Sequence, residues 1–400
     1  MSTQNDAETY IGQGSLTNSK HPRRLVEGAY PSHIVKGYGC DLWDEAGNKY
    51  IDYICGLGTN LVGYGRKEVC EAIKDQVVNG ISHSLPTTLE TLFAREFVEA
   101  FGFIDKVKIF KTGTEACMAA VKIALASSLK KKVVKEGYHG WSSVLMAKEP
   151  PAKRIPKDYG NTLYRSDESF KWNEIAAYIV EPVITDWSKE RIEYLKELRT
   201  KCTENGVTLI FDETITAYRF PSTCVAHEIG VDPDMFIAGK ALGGGMPISV
   251  LGGKAKLMDG DYFVSGTFCG EAASIAAARA VMRICSRGQL EELWDNGLRF
   301  SERFNKDCED VVQIKGYATR GVLQGHTEKV ALFMQEAVKS GMLFGPSWFY
   351  NFFHISQNEM VLSLCKEIAS KIRNQEDRLT GAVPKPAIAS ATRAAEVGKQ

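Results

Sequence analysis

Met235-Phe-Ile-Ala-Gly-Lys-Ala-Leu-Gly-Gly-Gly-Met-Pro247 runs from four apolar residues through one lysine into three consecutive glycines. A short apolar run closed by a turn signal is the pattern of a strand buried on both faces. Its lysine, Lys240, falls just past the end of that strand. The same layout recurs upstream. The run 208–211 leads into Asp212, the run 178–180 into Glu181, and the run 107–110 into Lys111-Thr112-Gly113-Thr114. Helical patterns such as 116–125 separate these runs, so the alternation reads as βαβ units. It predicts an α/β fold, with a mostly parallel sheet flanked by helices and ligands bound beyond the carboxyl ends of the strands.

After Ser286 the pattern changes to a long charged helix around 289–307 and then to mixed elements up to about Ile372. The expected division is an N-terminal arm with part of a small α+β domain over 1–60, and a large domain over 61–285. The rest of the small domain covers 286–375, and an Ala/Pro/Lys-rich tail covers 376–400. The 400 residues, 44% hydrophobic and 24% charged, suffice for a sizeable core. Lys plus Arg equal Asp plus Glu at 49 each, so no nucleic acid or acidic membrane partner is indicated. Ten scattered cysteines without metal-ligand spacing argue against a zinc site or a disulfide framework. No run is apolar for long enough to span a bilayer, the first ten residues carry no leader pattern, and the expected compartment is the cytoplasm.

Three of the strand ends carry chemistry. The turn at Gly113 and Thr114 offers backbone N–H groups and a helix dipole to a phosphate, although Thr114 serves equally as an ordinary N-cap. Asp212 is placed to hold a positive charge in a crevice, and such acids also cap helices or bind metals. Lys240, if desolvated, becomes a nucleophile toward an aldehyde, whereas most single lysines in loops face solvent. Two other glycine motifs fail. A dinucleotide fingerprint at Gly56 would need glycine where Leu61 stands, and a phosphate loop ending in Gly253-Lys254 lacks its first glycine at Ile248 and its Ser/Thr at Ala255.

Taken in order, Thr112-Gly113-Thr114-Glu115-Ala116, Tyr138-His139-Gly140, Ile179-Val180-Glu181-Pro182, Asp212-Glu213-Thr214, Gly239-Lys240 and Ser265-Gly266-Thr267-Phe268 resemble the motifs of class III aminotransferases. The branch that this chain resembles most is glutamate-1-semialdehyde 2,1-aminomutase, over about 37–371. The resemblance implies fold type I, with a seven-stranded sheet, and pyridoxal 5'-phosphate (PLP) as cofactor. It also implies that Lys240 carries PLP as a Schiff base and that Asp212 pairs with the ring nitrogen. Gly113 and Thr114 would hold the phosphate, Tyr138 would stack on the ring, and Thr214 would lie on its opposite face. Thr267 would reach the phosphate in a neighbouring subunit, which makes a homodimer the expected assembly.

The substrate expected is a small amine or amino acid, and the reaction an amino-group transfer or an aminomutation. A different PLP reaction, such as decarboxylation or elimination, and a non-catalytic relative are the alternatives. Departures from the branch bear on substrate. Leu57 stands where the aminomutase has a tryptophan, and Tyr350 or Asn351 where it has an acid and many relatives an arginine. The stretch between Tyr138 and Glu181 lacks the branch's gating loop. Glu181 is either a site residue or a structural acid. Arg219 and Arg320 are candidate carboxylate binders or structural arginines.

Overall fold

The computed structural model describes residues 3–146, 162–165, 170–376 and 378–384. They group into two compact units, one formed by the segments up to Arg66 and from Glu291 onward, the other by Lys67 to Leu290.

The second unit is built on a seven-stranded sheet. In spatial order its strands are Lys106–Phe110, Ser249–Gly253, Met235–Ala238, Thr208–Glu213, Ile175–Val180, Lys132–Glu136 and Thr162–Tyr164. Ser249–Gly253 runs antiparallel to both neighbours, and every other pairing is parallel. The four apolar runs singled out in the sequence all lie in this sheet, and the strand Ile175–Val180 is buried at all six positions. Lys132–Glu136 has charged residues at both ends of its Val-Val core, and glycines occupy two of the five places in Ser249–Gly253. Those compositions hide both strands from a reading by apolar runs.

The helix Gly113–Ala126 packs on one face. Its inward side is made of Ala116, Cys117, Ala119, Ala120, Ile123 and Ala124, which meet Ile179, Ile210, Ile237 and Leu251 from the sheet. Small side chains let the helix lie close to the strands, and each buried methylene still contributes about 0.8 kcal/mol. On the helix Thr88–Phe101, Phe97 and Phe101 pack with Phe103 and Phe236 at centroid distances of 4.6–6.5 Å. Register fixes where the strands end: Glu136 lies opposite Val180, Val180 opposite Phe211, and Glu213 opposite Ala238. Residues just beyond these positions therefore emerge along one edge.

The first unit holds a four-stranded sheet and a three-stranded antiparallel sheet with the helices Thr327–Lys339 and Asn358–Arg373. The charged helix expected around 289–307 is Arg287–Cys308. Tyr53 stacks between Phe344 at 4.6 Å and His354 at 4.2 Å, and Trp348 extends the stack. Next to it, Cys55, Gly56, Leu57 and Gly58 form a run of four left-handed residues, with φ of 48°, 58°, 61° and 85°. For Cys55 and Leu57 this backbone is strained. Asp52 holds the run in place by accepting from the N–H groups of Ile54 (2.8 Å) and Cys55 (2.9 Å) and from the Tyr64 hydroxyl (2.6 Å). Burial pushes the Asp52 carboxyl up to about 6 in spite of those donors.

Glu213, at the end of its strand, is fully buried and caps the short helix Val225–Ile229. It accepts from the N–H groups of Val225 and Ala226, both at 2.8 Å, and from the Thr216 hydroxyl at 2.7 Å. Burial pushes its carboxyl up to about 7, against an ordinary value of 4.5. A raised folded-state value means that the fold favours the protonated form. The stability this group contributes is thus complete below about 4.5 and is lost as pH rises through 7. Melting curves of wild type and Glu213→Gln are expected to show a wild-type advantage that shrinks between pH 4.5 and 8. A constant difference over that range would contradict the assignment.

Candidate active site

Lys240 follows the strand Met235–Ala238 by two residues and opens a 3-10 turn that closes on Gly244 in the left-handed region. Its own φ is 43°, a strained value for a side-chain-bearing residue, and the kind of distortion that surrounding structure must hold in place. Beside it, on the neighbouring strand, Asp212 is 4% exposed. The turn after Asp212 brings Thr214 against two glycines: a Cβ on Gly113 would lie 3.1 Å from Thr214, and one on Gly239 would lie 3.3 Å from it. Thr214 therefore sits between the phosphate-type turn and the lysine turn. Glycine at 113 and 239 permits that approach.

Asp212 is held by three side chains. Oδ1 accepts from the Thr214 backbone N–H at 3.1 Å and from its hydroxyl at 2.5 Å. Oδ2 faces His139 Nδ1 at 2.8 Å and Cys117 Sγ at 3.3 Å. His139 Nε2 lies 3.1 Å from the carbonyl oxygen of Glu136. A carbonyl and an ionised carboxylate can only accept, so both contacts are hydrogen bonds when each ring nitrogen carries a proton. Burial alone would push the Asp212 carboxyl up. The hydrogen bond and charge of His139, with the donors of Thr214, outweigh it and hold the group below the usual carboxylate range.

Cys117, His139 and Asp212 place their ligand-type atoms within 4.8 Å of one another, close enough to consider a metal. Their chemistry argues otherwise. The His139 ring and the Cys117 thiol both already hydrogen-bond Asp212 Oδ2, so the three groups satisfy one another without an ion.

The helix Gly113–Ala126 is capped by Thr112 rather than by Thr114, which the sequence offered as the alternative. Thr112 Oγ1 accepts from the Glu115 N–H, and Glu115 Oε2 accepts from the N–H groups of Thr112 and Lys111. Ala116 N–H bonds the Thr112 carbonyl. This capping box takes up the third first-turn donor and leaves the N–H groups of Gly113 and Thr114 to point outward with the helix dipole. Gly140, with φ of 90°, packs against Thr114 so closely that a Cβ there would fall 2.2 Å from Thr114 Oγ1. The Tyr138-His139-Gly140 segment is thereby pressed onto the helix start.

Glu181 is buried, and its Oε2 accepts from the Tyr138 backbone N–H at 3.2 Å, so it fixes the bend that presents Tyr138. Just before that bend, Glu136 joins Arg191, Arg165 (3.0 Å), Tyr178 (2.9 Å) and Tyr194 (2.8 Å). Tyr138 and Thr214 are half-buried, and Thr267 is exposed. Gly113, Thr114, Tyr138, Asp212, Thr214 and Lys240 thus all belong to the second unit and gather at its strand ends. Leu57 and Tyr350 belong to the first unit. Tyr350 is fully buried there, with its hydroxyl donating to Asn358 at 2.7 Å and its ring against Trp348 and Phe300. Arg219 and Arg320 are each 1% exposed, which makes neither a surface arginine. The expected loss of a gating loop falls mostly at 147–161 and 166–169, outside the described residues. His139 was visible in its motif, but nothing in the sequence set it beside Asp212, and Cys117 gave no signal at all.

The donor set fits PLP: two outward N–H groups for a phosphate, an ionised buried carboxylate for a ring nitrogen, and a lysine at the adjoining strand end. The family model for aminotransferase class-III matches residues 26–167 and 166–351. A glutamate-1-semialdehyde 2,1-aminomutase from Methanococcoides burtonii is 34% identical over 299 residues, covering 68% of this chain and 71% of that protein. Among solved structures, the FumI protein of Sphingopyxis sp. MTA144 superposes with a TM-score of 0.84 at 23% identity, covering 95% of this chain and 97% of that one. A glutamate-1-semialdehyde aminomutase of Pseudomonas aeruginosa PAO1, solved in complex with PMP, gives 0.79 at 17% identity, covering 93% of each chain. No helix among the described residues is long and apolar enough to cross a membrane. The chain belongs to the class III aminotransferase family and is a PLP-dependent enzyme of the aminotransferase and aminomutase type.

Proposed function

We propose that this enzyme moves the amino group of a small amino compound using PLP bonded to Lys240, with Asp212 at the ring nitrogen. The observation that carries the assignment is the constellation at the strand ends. A buried carboxylate held ionised by His139 and Thr214 lies one strand away from a lysine on a strained turn. Bound PLP supplies an electron sink for the substrate carbon. The protein's part is positional. Gly113 and Thr114 offer N–H groups to the phosphate, Asp212 keeps a proton on the ring nitrogen, and Lys240 Nζ takes and returns protons beside the substrate. Tyr138 and Thr214 flank the ring. Glu181 acts through Tyr138, whose backbone it fixes.

Leu57 is assigned to the substrate side on the strength of its left-handed backbone and its place in the resemblance. Tyr350, whose ring and hydroxyl are both engaged in packing, is given no such role. We assign the second unit to cofactor binding and the first to the small domain. The cytoplasm is the proposed compartment, supported by ten free thiols.

A homodimer is supported by the surface of the second unit. Val78, Leu85, Trp141, Phe263 and Phe268 are 58–83% exposed, large apolar side chains that a partner subunit would cover. Two of the loops concerned are tied together by the Ala272 N–H to the Ile81 carbonyl at 2.9 Å. Thr267 lies in one of them and is exposed, and we assign it to a partner's phosphate.

Borohydride treatment of the PLP-loaded protein is expected to fix the cofactor on Lys240. Recovery of the label on another lysine would end the assignment. Lys240→Ala is expected to lower amine transfer on the order of 10^3-fold with the fold intact by circular dichroism. In a panel of amino donors, stoichiometric transfer without carbon dioxide release supports the reading, and carbon dioxide release points to decarboxylation instead. Thr267→Val is expected to leave a dimer by light scattering but to weaken PLP binding about tenfold, as loss of one bond to a charged phosphate would. A Thr267→Val protein with unchanged affinity would show that the threonine does not reach a cofactor.

A further inference from the structure

The Asp212 carboxylate has about four acceptor positions on its two oxygens. Protein donors claim all four: the N–H and hydroxyl of Thr214 on Oδ1, and His139 Nδ1 with the Cys117 thiol on Oδ2. These donors are unequal. Thr214 and His139 offer N–H and O–H bonds at 2.5–3.1 Å, whereas a thiol is a weak donor, here at 3.3 Å. A ring nitrogen that also donates to Asp212 must take its place beside one of them, and the cheapest bond to yield is the one to sulfur.

Cys117 is well set for that part. It lies one turn into the helix whose first residues form the phosphate-type turn, so a single rigid element carries Gly113, Thr114 and this thiol. Its side chain is fully buried among alanines and aliphatic strand residues. Burial and the neighbouring carboxylate keep the thiol protonated, so it acts as a donor and adds no charge beside Asp212.

We propose that Cys117 is a positioning residue, a weak and yielding donor on Asp212 Oδ2 that limits how strongly this carboxylate holds the cofactor's ring nitrogen. The proposal rests on Asp212 being the ring-nitrogen partner. A stronger donor in the same place competes with the ring nitrogen for Oδ2, and removal of the donor leaves more negative charge for it.

The test uses the PLP-loaded enzyme with Cys117→Ser and Cys117→Ala. Both replacements are smaller than cysteine and so avoid overpacking. Two quantities are read: the rate at which cofactor is lost on dilution into a trapping agent, and the nitrogen-15 shift of ring-labelled PLP. In Cys117→Ala the cofactor is expected to leave about threefold more slowly, with the ring nitrogen shifted toward its protonated position, the scale of one weak hydrogen bond. In Cys117→Ser both readouts move the other way. Opposite displacement is the signature, because a residue that only fills space would lose packing in both variants and move them together. Changes of the same sign, or nitrogen shifts equal to wild type in both variants, overturn the proposal. Asp212→Asn separates it from its foundation. If that variant alters neither cofactor loss nor the nitrogen shift, the assignment of Asp212 fails. If it alters both while the Cys117 variants do not, only the role of the thiol fails.

Discussion

An ionised carboxylate inside a protein must be compensated, because burial alone drives it to take up a proton. Asp212 is the point where this enzyme meets that demand, and much of the second unit is arranged around it. Its strand supplies the position, the next turn supplies Thr214, the loop after Lys132–Glu136 supplies His139, and the helix Gly113–Ala126 supplies Cys117. Removing any of these elements would unbalance the charge. The same elements bear the turn at Gly113, Tyr138 and the approach to Lys240. The requirements of one buried charge and the layout of a binding site are thus met by one set of contacts.

The apolar runs ending at Val180, Phe211 and Ala238 made the centre of the sheet legible, since strands covered on both faces leave no polar alternation, whereas the edge strand ending at Phe110 carries Lys106 and Lys108. Asp212 and Lys240 were legible for a related reason: a charged residue follows an apolar run at a definite place. Less legible were strands whose ends carry lysine or whose interiors carry glycine, such as Lys132–Glu136 and Ser249–Gly253. Hidden altogether was the bond from Cys117 to Asp212, which joins residues 95 positions apart and depends on how closely an alanine-lined helix settles on the sheet. A cysteine in an apolar helix reads as one more core residue until its neighbours are known. Thr112 and Thr114 show a finer limit, because both suit the start of a helix and only the reciprocal bonds with Glu115 decide between them.

The first unit stores conformational strain. Four left-handed residues in a row, two of them bearing side chains, are held by one aspartate whose own charge is costly where it lies. The resemblance sets Leu57 of this run against the substrate, and the rigid aromatic stack around Tyr53 gives the strained run a firm base.

The antiparallel strand Ser249–Gly253 also bears on how the molecule comes together. It pairs with Met235–Ala238 across the shortest stretch of chain in the seven-stranded sheet, while the parallel pairings wait on long crossovers. Short loops close at less entropic expense than long crossovers, so this pairing carries the smallest closure cost in the sheet. The bend at Lys240 thus lies within the loop of the most local strand pairing in the sheet, held from both sides by adjacent strands.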